Sequence, residues 1–81
     1  MILVTLENCE GCEVFKALHP ELKNVTLPRV SQGHSLEIRE IKKAIAKFGI
    51  KTFPCLLSDD LNSRIMLSDF DPEIAKKLDL D

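Results

Sequence analysis

The sequence contains no tryptophan and no tyrosine, and its four aromatic residues are all phenylalanine. Proteins that bind single-stranded nucleic acid usually stack the bases on aromatic rings, so this composition argues against such a function. Basic residues are not in excess either, because the chain has 11 Lys and Arg residues and 13 Asp and Glu residues, for a net charge of −2. A chain without that excess is poorly suited to neutralise phosphates, and we expect no nucleic-acid partner.

Long apolar runs are also missing. The first run, residues 1–6, is interrupted by Thr5 and ended by Glu7. It is too short for a membrane span or a signal peptide, so we expect a cytoplasmic protein with no membrane partner. Three cysteines are an odd number, which fits a secreted disulfide framework poorly. In a reducing compartment, closely spaced cysteines are more often catalytic or metal-binding than structural.

The 81 residues are enough for one domain, which we place over residues 1–81. A strand-helix-strand opening requires a parallel strand pair, and a closing hairpin adds antiparallel strands. We therefore expect an α/β fold of order β-α-β-α-β-β-α, with three helices on the two faces of a four-stranded mixed sheet. The predicted strands are residues 1–6, 24–27, 55–58 and 64–67. The predicted helices are residues 13–19, which Pro20 ends, residues 36–48, which Gly49 ends, and a last helix from Asp71 onward.

Apolar spacing predicts which face of each helix is buried. The predicted inner residues are Val14, Phe15 and Leu18 in the first helix, Ile38, Ile41, Ile45 and Phe48 in the second, and Ile74, Ala75 and Leu78 in the last.

The segment Cys9-Glu10-Gly11-Cys12 follows the first predicted strand and begins a helix. Unpaired N–H groups and the helix dipole stabilise a thiolate at such a position. We therefore predict that Cys9 is the nucleophile that attacks a disulfide. Cys12, one turn further and more buried, would then resolve the mixed disulfide.

Two other interpretations of the cysteines stay open. The pair could be incidental, or it could belong to a zinc site, which needs four ligands. Cys9, Cys12 and Cys55 with either His19 or His34 would supply them. Since the chain has no second C-x-x-C and no paired histidines, we expect no bound metal or other cofactor.

The whole chain resembles the glutaredoxins and other small thioredoxin-like proteins. The resemblance rests on the first strand, the C-x-x-C helix, the second helix ending Phe48-Gly49-Ile50, the segment Thr52-Phe53-Pro54, the hairpin and the last helix. It implies a thioredoxin-like fold and a thiol-disulfide oxidoreductase, which we expect to be a monomer that reduces protein or small-molecule disulfides. It also implies a cis peptide bond between Phe53 and Pro54, with Pro54 beside the cysteines and Phe53 offering its backbone to the substrate.

The sequence departs from the glutaredoxin pattern around the cysteines. Glu10-Gly11 replaces the usual Pro-Tyr, and Glu7-Asn8 stands where a lysine is usual. With Glu13, these acidic residues oppose a thiolate, so we expect the pKa of the Cys9 thiol to be lowered less than in typical glutaredoxins.

A third departure concerns glutathione. The Gly-Gly expected after the fourth strand is replaced by Leu67-Ser68-Asp69. Ser68 and Asp69 could still bind the γ-glutamyl group through a hydroxyl, a backbone N–H and a carboxylate. Glutathione is therefore a possible electron donor, and a reductase protein is the other. The alternatives are a thioredoxin-like reductant that does not use glutathione and a non-catalytic binding module of the same fold.

Three further residues have two interpretations each. Cys55 is either a third redox-active thiol or a small buried hydrophobe at the start of a strand. His34 is either an assistant in proton transfer or a solvated loop residue, and we predict the second. His19 is predicted to end the first helix, where a protonated imidazole would favour the helix dipole.

Overall fold

The computed structural model describes residues 1–28 and 35–79; His34 lies outside them. The elements run in the order β-α-β-α-β-β-α-α. None of the helices in the described part of the chain is long and apolar enough to cross a membrane. The elements are β1 (Ile2–Leu6), α1 (Glu10–Leu18), β2 (Lys23–Leu27), α2 (Leu36–Phe48), β3 (Cys55–Leu57), β4 (Arg64–Ile65), α3 (Leu67–Phe70) and α4 (Pro72–Lys77).

The four strands form one mixed sheet in the order β2-β1-β3-β4. β1 and β2 are parallel, with Val4 opposite Val25. β3 runs antiparallel to β1, placing Cys55 opposite Val4, and β4 runs antiparallel to β3. The four-stranded mixed sheet predicted from the sequence is confirmed, and β1 lies in its interior with a partner on each side.

Side chains alternate across β1, so that its two faces join different clusters of buried residues. Ile2 and Val4 pack in one cluster with Ile41 of α2. Leu3 packs in the other with Phe15 of α1, and this second cluster also contains buried residues from α3 and α4. Helices therefore cover both faces of the sheet, as the sequence predicts.

The boundaries of α2 agree with the sequence prediction. The hydroxyl of Ser35 accepts a hydrogen bond from the backbone N–H of Ile38 at 3.3 Å, which caps the start of the helix. At the other end Gly49 takes a left-handed conformation with φ 65°. Ile41 is completely buried, whereas Ile38, Ile45 and Phe48 are half-buried beside it.

The prediction of three helices is wrong, because the described residues form four. The fourth predicted strand was placed at 64–67, but β4 ends at Ile65. Met66 begins a helical turn instead, and its carbonyl accepts hydrogen bonds from the N–H groups of Asp69 and Phe70 at 3.1 and 3.2 Å. This turn places Leu67 in the core with an exposed fraction of 1%. The apolar run at 64–67 resembles a strand, but the strand ends at Ile65 because a helical turn buries Leu67.

Candidate functional site

Cys9 is the N-cap of α1. Its backbone is extended, and its sulfur accepts a hydrogen bond from the N–H of Cys12 at 3.2 Å. Its carbonyl accepts one from the N–H of Glu13 at 3.1 Å. The sulfur of Cys9 thus satisfies an N–H group that a helix start leaves unpaired, and its carbonyl accepts the first backbone bond of the helix, so α1 begins at Glu10 rather than at Glu13, the start of the predicted helix 13–19. The whole segment between the cysteines therefore lies in the first turn.

Cys9 and Cys12 form a disulfide, with their Cα atoms 5.2 Å apart. Cys12 is 1% exposed, and its sulfur accepts a hydrogen bond from the N–H of Leu6 at 3.5 Å. Cys9 is only half-buried. Cys12 is thus the more buried of the two, as predicted, and Cys9 is the one that a substrate can approach.

The predicted inner face of α1 is partly wrong. Phe15 is completely buried, but Val14 and Leu18 are 42% and 49% exposed. Cys12 and Phe15 are the buried residues of α1, and their spacing of three places both on the face that packs on the sheet. Val14 is turned outward, toward the same surface as Cys9.

An open cavity of about 750 Å³ adjoins Cys9. Its lining comes from the turn between β1 and α1 and from the first turns of α1, and it includes two carboxylates and one apolar side chain. Asn8, in this lining, has a φ of 56°, in the left-handed region that Asn tolerates better than most residues. The lining residues are Asn8, Cys9, Glu10, Glu13 and Val14.

Pro54 packs against the turn that holds the cysteines. The peptide bond between Phe53 and Pro54 is cis, which confirms the expectation from the sequence. A Cβ placed on Gly11 would lie 3.9 Å from the Cδ atom of Pro54, which is ordinary van der Waals contact. Pro54 is buried, and Phe53 is half-buried against the cluster on the α2 side of the sheet. The structure therefore brings Pro54 next to the segment between Cys9 and Cys12.

Cys55 follows Pro54 directly and starts β3. It is 1% exposed, lies in the same cluster as Val4, and is not part of the disulfide. Its burial favours a packing role, one of its two predicted interpretations.

Ser68 and Asp69 are exposed and lie in α3, not in a loop after a strand. The described residues that line the cavity beside Cys9 do not include Ser68 or Asp69. The role predicted for this pair in binding glutathione stays a prediction.

His19 has more contacts than the sequence indicated. It caps the end of α1, and its ring lies 4.8 Å from the ring of Phe15 and 4.9 Å from that of Phe70. Its Nε2 donates a hydrogen bond to Oδ2 of Asp71 at 2.8 Å. This hydrogen bond is the main cause that holds the pKa of Asp71 below its usual value. A hydrogen bond from the backbone N–H of Ile74 is the second cause. The signal in the sequence was the spacing of Cys12, Phe15 and His19, which places all three on one side of α1.

The zinc alternative would need several ligands in one place. In residues 1–28 and 35–79, no group of three or more His, Cys, Asp or Glu side chains is arranged to hold a metal ion. His34, one of the suggested ligands, is outside these ranges.

Known proteins do not assign a function to this site. The sequence matches no protein-family model, no curated protein and no solved structure. A function must therefore be argued from the geometry around Cys9 and Cys12.

Proposed function

We propose that this protein is a thiol-disulfide oxidoreductase with a thioredoxin-like fold. One observation carries the proposal: an accessible Cys9 caps α1 beside an open cavity and is paired with a buried Cys12. A pair that is exposed at one sulfur and protected at the other suits attack on an external disulfide followed by internal resolution.

In the proposed reaction the reduced Cys9 thiolate attacks one sulfur of a substrate disulfide. A mixed disulfide forms, and the other substrate sulfur leaves and takes up a proton. The Cys12 thiolate then attacks the sulfur of Cys9, restoring the Cys9–Cys12 disulfide and releasing the second substrate thiol. Two electrons pass from the protein to the substrate, and a thiol donor, glutathione or a reductase protein, must reduce the pair again.

The surrounding groups support the attacking sulfur. The N–H of Cys12 points to Cys9 from 3.2 Å, and the start of α1 adds the positive end of the helix dipole. A thiolate on Cys9 is stabilised by both. The N–H of Leu6 holds the sulfur of Cys12 from the end of β1. Pro54 lies beside Gly11, which is between the two cysteines in sequence, and the backbone of Phe53 is the proposed contact for an extended substrate.

The fold proposal depends on the arrangement of elements. A parallel β1–β2 pair joined through α1, an antiparallel β3–β4 hairpin and α2 on the opposite face agree with a thioredoxin-like domain. Within that class we propose a glutaredoxin-like protein that acts on protein or small-molecule disulfides. Binding of glutathione through Ser68 and Asp69 is part of this proposal.

Disulfide reduction with two electron supplies tests the function. One supply is glutathione with its reductase, and the other is thioredoxin reductase with NADPH. We expect turnover with at least one supply, its loss in Cys9→Ser, and its retention in the cysteine control Cys55→Ala.

Turnover with glutathione would favour the glutaredoxin-like mechanism, and turnover with thioredoxin reductase alone would favour the thioredoxin-like one. The proposal is wrong if neither supply gives Cys9-dependent reduction and the pair also resists a glutathione buffer. That result would indicate a structural bridge.

A further inference from the structure

The cavity beside Cys9 has a one-sided charge. Glu10 and Glu13, both exposed, contribute carboxylates to its lining, and its described lining residues include no Lys, Arg or His. The sulfur that reacts in the proposed function lies in the same cavity. The groups that flank the disulfide of a bound substrate would therefore lie near these two carboxylates and interact with their charge.

Glu10 and Glu13 both belong to the first turn of α1, directly after Cys9. Along the axis of α1, Glu10 and Glu13 are displaced from Cys9 by about 1.5 and 6 Å. Both displacements are shorter than the distance of about 8 Å over which physiological salt screens a charge. The N–H of Glu13 also bonds to the carbonyl of Cys9, so that this part of the helix is fixed relative to the sulfur.

Val14 completes the lining with an apolar surface, 42% of which is exposed. Lysine and arginine side chains combine an apolar stem with a charged end, and they bury the stem while the charge stays in water. A stem packed on Val14 would direct its cation toward Glu10 and Glu13. The cavity thus fits a basic side chain next to the disulfide that Cys9 attacks.

Resting on the proposed function, we infer that the site selects polypeptide disulfides flanked by Lys or Arg over polypeptide disulfides flanked by Asp or Glu. The electron flow is that of the proposed reaction: the Cys9–Cys12 dithiol is oxidised, the substrate disulfide is reduced to two thiols, and the thiol donor, glutathione or a reductase protein, regenerates the pair. Acidic residues beside a substrate disulfide would be repelled by the carboxylates of Glu10 and Glu13.

Two synthetic peptides with the same disulfide ring test this inference. In one peptide lysine flanks both cysteines, and in the other glutamate does. The reduced protein is mixed with each in a single turnover, and the rate is divided by the rate with dithiothreitol, which corrects for the intrinsic reactivity of each disulfide. We expect the lysine peptide to react about tenfold faster at low salt, a difference that molar salt should largely remove.

Charge-neutral variants assign the effect to the cavity. In the double variant Glu10→Gln with Glu13→Gln, the preference for the lysine peptide should fall to about twofold or less. Glu73→Gln is the matched control, because Glu73 is an exposed acid in the first turn of α4 and does not line the cavity. It should keep the full preference. Salt dependence of the unaltered protein provides a second test that needs no substitution.

The outcomes separate the two proposals. Cys9-dependent reduction at equal corrected rates, or faster with the glutamate peptide, overturns the charge selection and leaves the oxidoreductase proposal standing. A preference that survives in the double variant also overturns it. Absence of Cys9-dependent reduction with both peptides overturns the proposed function and the selection with it.

Discussion

His19 and Asp71 join the end of the cysteine-bearing helix to the start of the last helix, with Nε2 of His19 lying 2.8 Å from Oδ2 of Asp71. Asp71 also caps α4, where its carboxylate accepts a hydrogen bond from the N–H of Ile74 at 3.3 Å. One carboxylate therefore serves two helices. The stability of α1 should therefore depend on the charge of a residue that is distant from it in the sequence.

The pKa of Asp71 is lowered in the folded protein from a usual value of 3.8. Its charged form therefore stabilises the fold above that value, and this contribution is lost as the pH falls through the lowered folded-state pKa. We expect Asp71→Asn to be less stable than the unaltered protein near neutral pH, with the difference shrinking in acid. Urea unfolding over a pH series measures this. Asp69→Asn, which replaces an exposed acid two residues earlier in the chain, is the matched control.

Phe15 and Val14 are neighbours with opposite environments, completely buried and 42% exposed. Phe15→Ala should lower the free energy of unfolding by about 3–5 kcal/mol, because it leaves a cavity among core side chains. Val14→Ala should change it by about 0.5 kcal/mol or less. Equal losses in urea unfolding would show that both residues face the core, as the sequence had suggested. Phe15→Leu is the milder alternative if Phe15→Ala does not fold.

Gly49 ends α2 at a φ of 65°, and its N–H bonds to the carbonyl of Ala46 at 3.3 Å. A Cβ at this position would meet no atom within 4 Å, so the cost of a side chain is conformational rather than steric. We predict that Gly49→Ala lowers the free energy of unfolding by about 1–2 kcal/mol. Gly49→Asn should cost less, since Asn tolerates the left-handed region. Thermal unfolding that ranks Asn below Ala would contradict this explanation.

The role of Cys55, packing or redox, can be tested by chemical labelling. Because it is buried in β3, an alkylating reagent should modify Cys9 first in the reduced native protein and reach Cys55 only after unfolding. Mass spectrometry after timed alkylation, with and without urea, measures the order. Rapid native labelling of Cys55, or loss of disulfide reduction in Cys55→Ala, would favour the redox interpretation instead.

Elements whose ends are marked by their own side chains could be predicted closely. The helix α2 begins after Ser35 and ends before Gly49, and both signals are local. For α1 the apolar pattern indicated only residues 13–19, whereas the position of the C-x-x-C segment after a strand indicated the helix start that the structure has, with Cys9 at the N-cap. The short helix α3 was missed because it is defined by the burial of Leu67 against distant parts of the chain.

The same distinction applies to the candidate site. Cys9 and Cys12 could be found from their spacing after a strand, and their order of burial followed from their place in the helix. The cavity lining could not be predicted from the sequence, since it depends on the rotation of α1 that turns Val14 outward beside Glu10 and Glu13. The contact of His19 with Asp71 joins residues 52 positions apart, beyond the reach of local patterns.

Cys9 follows β1, one of the two interior strands of the sheet. β1 has a partner on each side, whereas β2 and the two-residue β4 lie at the edges. Either edge can fray in native-state hydrogen exchange without releasing β1, because the amides of an interior strand exchange only when larger units open. The disulfide-bearing turn thus follows an interior strand, and we expect its geometry to persist through local fluctuations that open the edges of the sheet.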